Sequence, residues 1–183
     1  IKGGAAKSGW EHQAYVGGVA GYARGVTIRN CWNGGTVEGN GANYIGGIVG
    51  YMLAKSNKEE GAVYNCFNSG TITGNNSGGI AGRLDDSWIK DCSNSGTVSG
   101  EENVAGIVYH VSHGTVQFNQ NTGKISGTGR MPIVGTMEQN MMYHYNYYDG
   151  TDWTGNYNWG DARTRKNLLS GSAENAPKAD TWT

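Results

Sequence analysis

The eight residues starting at Tyr15, Tyr-Val-Gly-Gly-Val-Ala-Gly-Tyr, return from Tyr44 as Tyr-Ile-Gly-Gly-Ile-Val-Gly-Tyr, and weaker copies start at Ser77 and Val104. An internal repeat constrains a chain more than any single residue does, because every copy must become the same small unit stacked on its neighbours. A second motif keeps step with the first. Asn-Cys-Trp-Asn-Gly-Gly-Thr-Val from Asn30 recurs from Asn65 and from Asp91, and residues 118–125 are an eroded fourth copy. Cys31, Cys66 and Cys92 lie 35 and 26 residues apart, with Asn119 at the next equivalent position. The period is about 26 residues, and the charged stretch 53–61 is an insertion expected to project as a loop.

Each period holds three short β-type segments: one around the Gly-Gly motif, one ending at the cysteine position and one at Gly-Thr-Val/Ile. Three short strands per coil predict an all-β chain, a right-handed parallel β-helix of about five coils, since one coil cannot bury its inner face alone. At ~4.8 Å per coil the cylinder is roughly 24 Å long. Like residues then fall into columns, and three of these are the expected core: Val19, Ile48, Ile80, Ile107; Ile28, Val63, Ile89, Val116; and Val37, Ile72, Val98, Ile125. Asn33, Asn68, Asn94 and Asn121 form a further column in which stacked amides can bond along the axis. The 32 glycines against two prolines fit this plan, supplying positive φ or close approach at the corners.

Residues 1–150 are read as the helix and 151–183 as a cap and tail on the last coil, in a single domain. Residues 161–169 have the pattern of a short helix. Tyr143, Tyr145, Tyr147, Tyr148, Trp153, Tyr157 and Trp159 are expected to cover the terminal coil as an aromatic cap.

Gly-Gly-Ile-Val-Gly followed by Asn-Cys-x-Asn-x-Gly-x-Ile resembles the GLUG-type motif of surface and secreted proteins of gut and oral bacteria. The likeness runs over roughly residues 15–150 and implies a β-solenoid that is secreted or held at the bacterial cell surface. In size, fold and aromatic content the chain is also similar to β-helical xylan-binding modules attached to glycoside hydrolases of gut bacteria. That second resemblance implies a covalently linked catalytic domain and a polysaccharide partner.

The formal net charge of −1 removes the basic footprint of a nucleic-acid partner. No apolar run approaches the ~18 residues of a membrane span, so membrane insertion is not expected, and a monomer is the expected state. Three cysteines, none in a C-x-x-C pair, suggest neither a disulfide framework nor a zinc site, and they are read as small buried groups. Catalytic β-helices gather Asp, Lys and Arg on one strand face. Here Asp85-Asp86 reads as a solvated turn, and no histidine has a nucleophile partner. No enzyme activity, cofactor or metal is expected. A flat Thr array of the ice-binding kind is absent as well, since only Thr71-Ile72-Thr73 has the pattern.

The candidate ligand surface lies on the first segment of each repeat. With Val19 and its equivalents inward, alternation points Ala20, Val49, Ala81 and Val108 outward, together with Tyr22, Tyr51, Arg83 and His110, on a face grooved by Gly18, Gly47, Gly79 and Gly106. Trp88 and Trp32, near strand ends, are further candidate ligand-binding rings. Rings beside hydrogen-bonding groups suit a sugar chain. The expected function is a non-catalytic carbohydrate-binding module for a neutral plant polysaccharide, xylan or a related β-glycan, with a structural or adhesive surface segment as the alternative.

Overall fold

The computed structural model describes residues 1–4, 13–55, 61–138, 142–148 and 163–164. Among these, 24 short strands and no helix are found, and every strand pairing is parallel. The chain is a β-solenoid of about five coils. The three segments expected per coil resolve into five, giving five sheets. The first sheet stacks Tyr15–Gly17, Tyr44–Gly46, Ser77–Gly78 and Val104–Ala105. The second stacks Ala20–Arg24, Val49–Leu53, Ala81–Asp85, Val108–Ser112 and Val134–Met137. Thr27–Arg29, Ala62–Tyr64, Trp88–Lys90, Thr115–Gln117 and Met142–His144 form the third. The fourth runs through the Asn column from Trp32–Asn33 to Tyr147–Tyr148, and the fifth through the Val37, Ile72, Val98, Ile125 column.

The split of the first segment has a clear cause. Successive amides of Ile48 and Val49 both bond the carbonyl of Ile80, and those of Ile80 and Ala81 both bond that of Ile107. Two neighbouring N–H groups aimed at one oxygen cannot belong to an extended strand, so the chain bends there and the in-out alternation breaks. Val49, Ala81 and Val108, expected outside, are therefore fully buried beside Ile48, Ile80 and Ile107. Past the bend the two arms lie against each other with no side chain between them. A Cβ at Gly50 would sit 2.6 Å from the backbone nitrogen of Val16.

The expected external groove of glycines is also corrected. Gly47, Gly79 and Gly106 face inward, and a Cβ at Gly79 would meet Asn94 Cγ at 2.5 Å and the Gly106 carbonyl at 2.2 Å. The space they leave is filled by the asparagine column. Asn33 Nδ2 donates to Asn68 Oδ1 (2.8 Å), Asn68 to Asn94 (2.7 Å) and Asn94 to Asn121 (2.8 Å). This ladder spans the cross-section from the fourth sheet to the Gly-Gly corner and divides the apolar interior in two. Ile48, Met52, Val63, Leu84 and Ile89 lie in one cluster, and Val16, Val37, Ile45, Ile72 and Val98 in the other. Ser77 takes an inward position between Ile45 and Val104, and its buried hydroxyl has no hydrogen-bond partner among the described residues.

Glycine does take positive φ at Gly25, Gly41, Gly74, Gly127 and Gly129, as expected, and asparagine and aspartate share the turning with it. Asn30, Asn65 and Asp91 hold one column in the left-handed region at φ 56°, 47° and 51°, continued by Phe118 and Tyr145, whose rings stack at 5.2 Å. Asn and Asp tolerate that region because their short side chains can bond locally. Cys31, Cys66 and Cys92 are free, and the latter two are buried. Their column continues with Asn119 and then Asn146, where Asn119 Nδ2 donates to Asn146 Oδ1 at 2.9 Å.

The second column is confirmed down to Tyr143, which pairs with Val116, but Ile28 is only half-buried and Val19 is 48% exposed. Both belong to the first coil, beyond which the first four sheets have no further described strand. Tyr143 and Tyr147 are core residues of the last coil. Arg163–Thr164 pairs in parallel with Tyr147–Tyr148, a strand where a short helix was expected. Trp153, Tyr157, Trp159 and the rest of 151–183 lie outside the described residues.

Candidate functional site

The second sheet brings Tyr22, Tyr51, Arg83, His110 and Thr136 into register. Four of the six candidate ligand residues thus form one column. Because the first sheet folds back against the second, Tyr15 and Tyr44 reach the same surface, and Tyr109 joins them. Tyr15 stacks on Tyr22 (6.0 Å between ring centres) and on Tyr44 (6.1 Å), and meets Tyr51 edge-on at 5.0 Å. Tyr44 is 6.3 Å from both Tyr109 and His110. Tyr22 is 48% exposed, while the other rings are half-buried.

Arg83 and Asp85 sit at the centre of this patch. Their fork is bidentate, Nε to Oδ1 at 2.8 Å and Nη2 to Oδ2 at 2.9 Å, and Nη1 donates to the Tyr44 hydroxyl at 3.0 Å. The guanidinium also lies 5.4 Å from the ring centres of Tyr44 and Tyr51. Tyr51 completes the set by donating to Asp85 Oδ2 at 2.5 Å. Asp85 was read as part of a solvated turn. It is instead the last residue of its strand, on the same side as Arg83, and only Asp86 turns, at φ 49°.

The electrostatics follow from these contacts. Burial opposes the charge on Arg83, but the hydrogen bonds to Asp85 and Tyr44 outweigh it and hold the guanidinium charged. Burial, then the bond to Asp85, pushes the Tyr51 phenol well up, and burial raises Tyr15 and Tyr109 also. His110 is shifted down by burial and by Arg83. Its Nδ1 lies 2.9 Å from Thr136 Oγ1, while Nε2, 3.4 Å from Glu138 Oε1, makes no hydrogen bond among the described residues. The patch therefore sets hydroxyls and an imidazole that resists protonation around an internally cancelled ion pair. Such a surface stacks and hydrogen-bonds.

Trp88 and Trp32 are placed elsewhere. Trp88 belongs to the third sheet, beneath Lys90, whose Nζ is 4.7 Å from the ring centre. Trp32 is 68% exposed on the fourth sheet, and its Nε1 donates to Ser69 Oγ at 3.0 Å. Tyr15, Tyr44, Tyr109 and Asp85 are the members of the patch that reading the sequence missed. Tyr15 and Tyr44 open the two clearest copies of the repeat, and the spacing Arg83-x-Asp85 puts both groups on one side of a strand. Those were the available signals. No group of three or more His, Cys, Asp or Glu side chains converges among the described residues.

A family model described as the GLUG motif matches residues 41–73. That span is one coil of the solenoid, running through the first, second, third and fourth sheets to Thr73 in the fifth. No curated protein and no solved structure matches the chain. The fold and the motif together make this a parallel β-solenoid with a GLUG coil, an architecture consistent with a structural or adhesive segment.

Proposed function

We propose that this chain is a non-catalytic module, secreted or displayed at a bacterial surface, that binds a neutral polysaccharide on its tyrosine face. The observation that carries the reading is the convergence of five tyrosines and His110 around the self-neutralised Arg83–Asp85 pair. Rings of that kind supply apolar faces for sugar C–H groups, and their hydroxyls supply the polar edge. With Arg83 and Asp85 cancelling each other, the centre of the face offers a ligand stacking and hydrogen bonds without a net charge. Covering ~60 Å² of ring at ~25 cal/mol/Å² gives roughly 1.5 kcal/mol per sugar contact, so two or three rings together with polar contacts correspond to a Kd between about 10 μM and 1 mM. Weak binding of this order is useful where a catalytic domain in the same polypeptide is held near insoluble substrate.

Affinity electrophoresis on a panel of neutral glycans, xylan included, tests the reading. One or more glycans should retard the chain. Tyr22→Ala and Tyr51→Ala should each reduce retardation at least fivefold with the β-sheet circular dichroism unchanged. If no glycan retards the wild type, or the variants match it, the tyrosine face is not the site.

A structural or adhesive segment is the second reading, and one observation favours it. The rings of the patch pack on one another, Tyr22 against Tyr51 at 5.4 Å for example, as they would if their task were to seal the fold of the first sheet onto the second. In that case Tyr51→Ala lowers thermal stability and changes no glycan affinity.

A further inference from the structure

The third sheet carries a groove of about 590 Å³ whose chemistry is opposite to that of the tyrosine face. Two outward columns line it. Thr27, Ala62 and Trp88 form one, and Arg29, Tyr64 and Lys90 the other, with Ile28, Val63 and Ile89 turned inward between them. Ala62 is the small member of its column, and the step from Ala62 up to the Trp88 ring gives the groove its wall. Tyr64, 45% exposed, stands midway between the two cations. Arg29 and Lys90 are two rungs apart, about 10 Å at the ~4.8 Å spacing of coils, close enough for long side chains to flank one ligand seated on Tyr64.

The cations are what distinguish this groove. Arg83 in the tyrosine face is consumed by Asp85 and Tyr44. Arg29, by contrast, is exposed and makes no ion pair or side-chain hydrogen bond with the described residues, and Lys90 lies over the Trp88 ring and attracts the neighbouring Asp91 carboxylate without an ion pair among the described residues. Asp91 at the rim is the one carboxylate among the lining residues, so the groove has a positive balance. A guanidinium and an ammonium without ion pairs, beside two aromatic rings, suit a ligand with a flat apolar face and a carboxylate on its edge.

We propose that this groove is a second ligand site, for an acidic sugar: a uronic acid residue of a polysaccharide, its ring stacked on Tyr64 and Trp88 and its carboxylate taken by Arg29 and Lys90. The site is separate from the tyrosine face and does not depend on that face binding a glycan. A nucleic acid strand shares the need for rings and cations, but a tract of phosphates calls for more than two cations and for a chain of basic charge, whereas this one is formally −1.

The probe is tetragalacturonate, titrated into the whole chain and followed by tryptophan fluorescence and calorimetry, with its fully methyl-esterified form as the neutral control. Saturable binding is expected, at least fivefold weaker for the ester and weakened by added salt. Arg29→Gln and Lys90→Gln should each weaken it three- to tenfold, and Trp88→Ala should abolish the fluorescence change. Tyr22→Ala should leave it untouched, which separates this site from the tyrosine face. Absence of binding to the wild type overturns the proposal. So does equal affinity for the ester, equal affinity in both charge variants, or a thymidine oligonucleotide that displaces tetragalacturonate at lower concentration. Because Arg29 and Lys90 are outward residues, the two glutamine variants test the site without unsettling the core.

Discussion

His110 shows how a single residue can be on the expected face and yet have a different task there. Its imidazole is in register with Arg83 and Thr136, but burial and the Arg83 charge make it hard to protonate. In the unfolded chain it takes a proton near its ordinary value of 6.5. As pH falls below that value the unfolded state binds more protons than the native state, so stability drops until the lowered native pKa is passed, and only well above 6.5 is it whole. Urea melts of the wild type between pH 7 and pH 5 should show this decline, and His110→Gln should flatten it. Glu138, held down by its bond from Ser112, acts only below its ordinary 4.5 and stays outside that window. Placing Tyr22, Tyr51, Arg83 and His110 in one column needed only the repeat register. Seeing that Asp85 silences Arg83 needed the side-chain geometry, because Asp85-Asp86 reads in sequence as a polar turn.

At the level of elements, the asparagine column was legible because Asn33, Asn68, Asn94 and Asn121 recur at one place in four successive repeats. What the repeat did not reveal is the ladder's neighbour. The glycines of the Gly-Gly motif were assigned to an outer groove, yet they are inside because the chain bends between Ile48 and Val49 and the alternation slips there. Ladder and glycines are therefore one device, with each amide occupying the room a missing Cβ leaves. Asn94 accepts from Asn68, donates to Asn121 and also accepts from the Gly96 amide at 3.2 Å. Asn94→Ala removes these bonds in a fully buried site and opens a cavity, so a loss of about 3 kcal/mol is expected by urea denaturation. Asn33→Ala, half-buried in the first coil, should cost under about 1 kcal/mol. Similar costs at the two positions would mean that the ladder does not cooperate along the axis.

Over the whole molecule, stability should follow the position of a coil in the stack. Each coil touches only its neighbours, so a side chain with a coil on both sides loses more on truncation than its equivalent at an end. Ile89, fully buried in the third coil, should cost about 3–4 kcal/mol as Ile89→Ala, whereas Ile28→Ala in the first coil should cost less than about 1 kcal/mol. Hydrogen exchange should rank the coils the same way, with the second to fourth most protected. The chain by itself determined that it is a parallel β-solenoid, how many coils it has, which residues stack on which, and where the inserted stretch falls. A repeat carries that much, since stacking in register is the one way for identical short strands to bury their inner faces. Only the tertiary structure decided which residues at the corner face in, that the first sheet folds onto the second to gather Tyr15, Tyr44 and Tyr109 with Tyr22 and Tyr51, and that one arginine is neutralised by an ion pair while Arg29 and Lys90 form none among the described residues. Those outcomes depend on backbone bends and on contacts between strands of different sheets, and residue order along a repeat encodes neither.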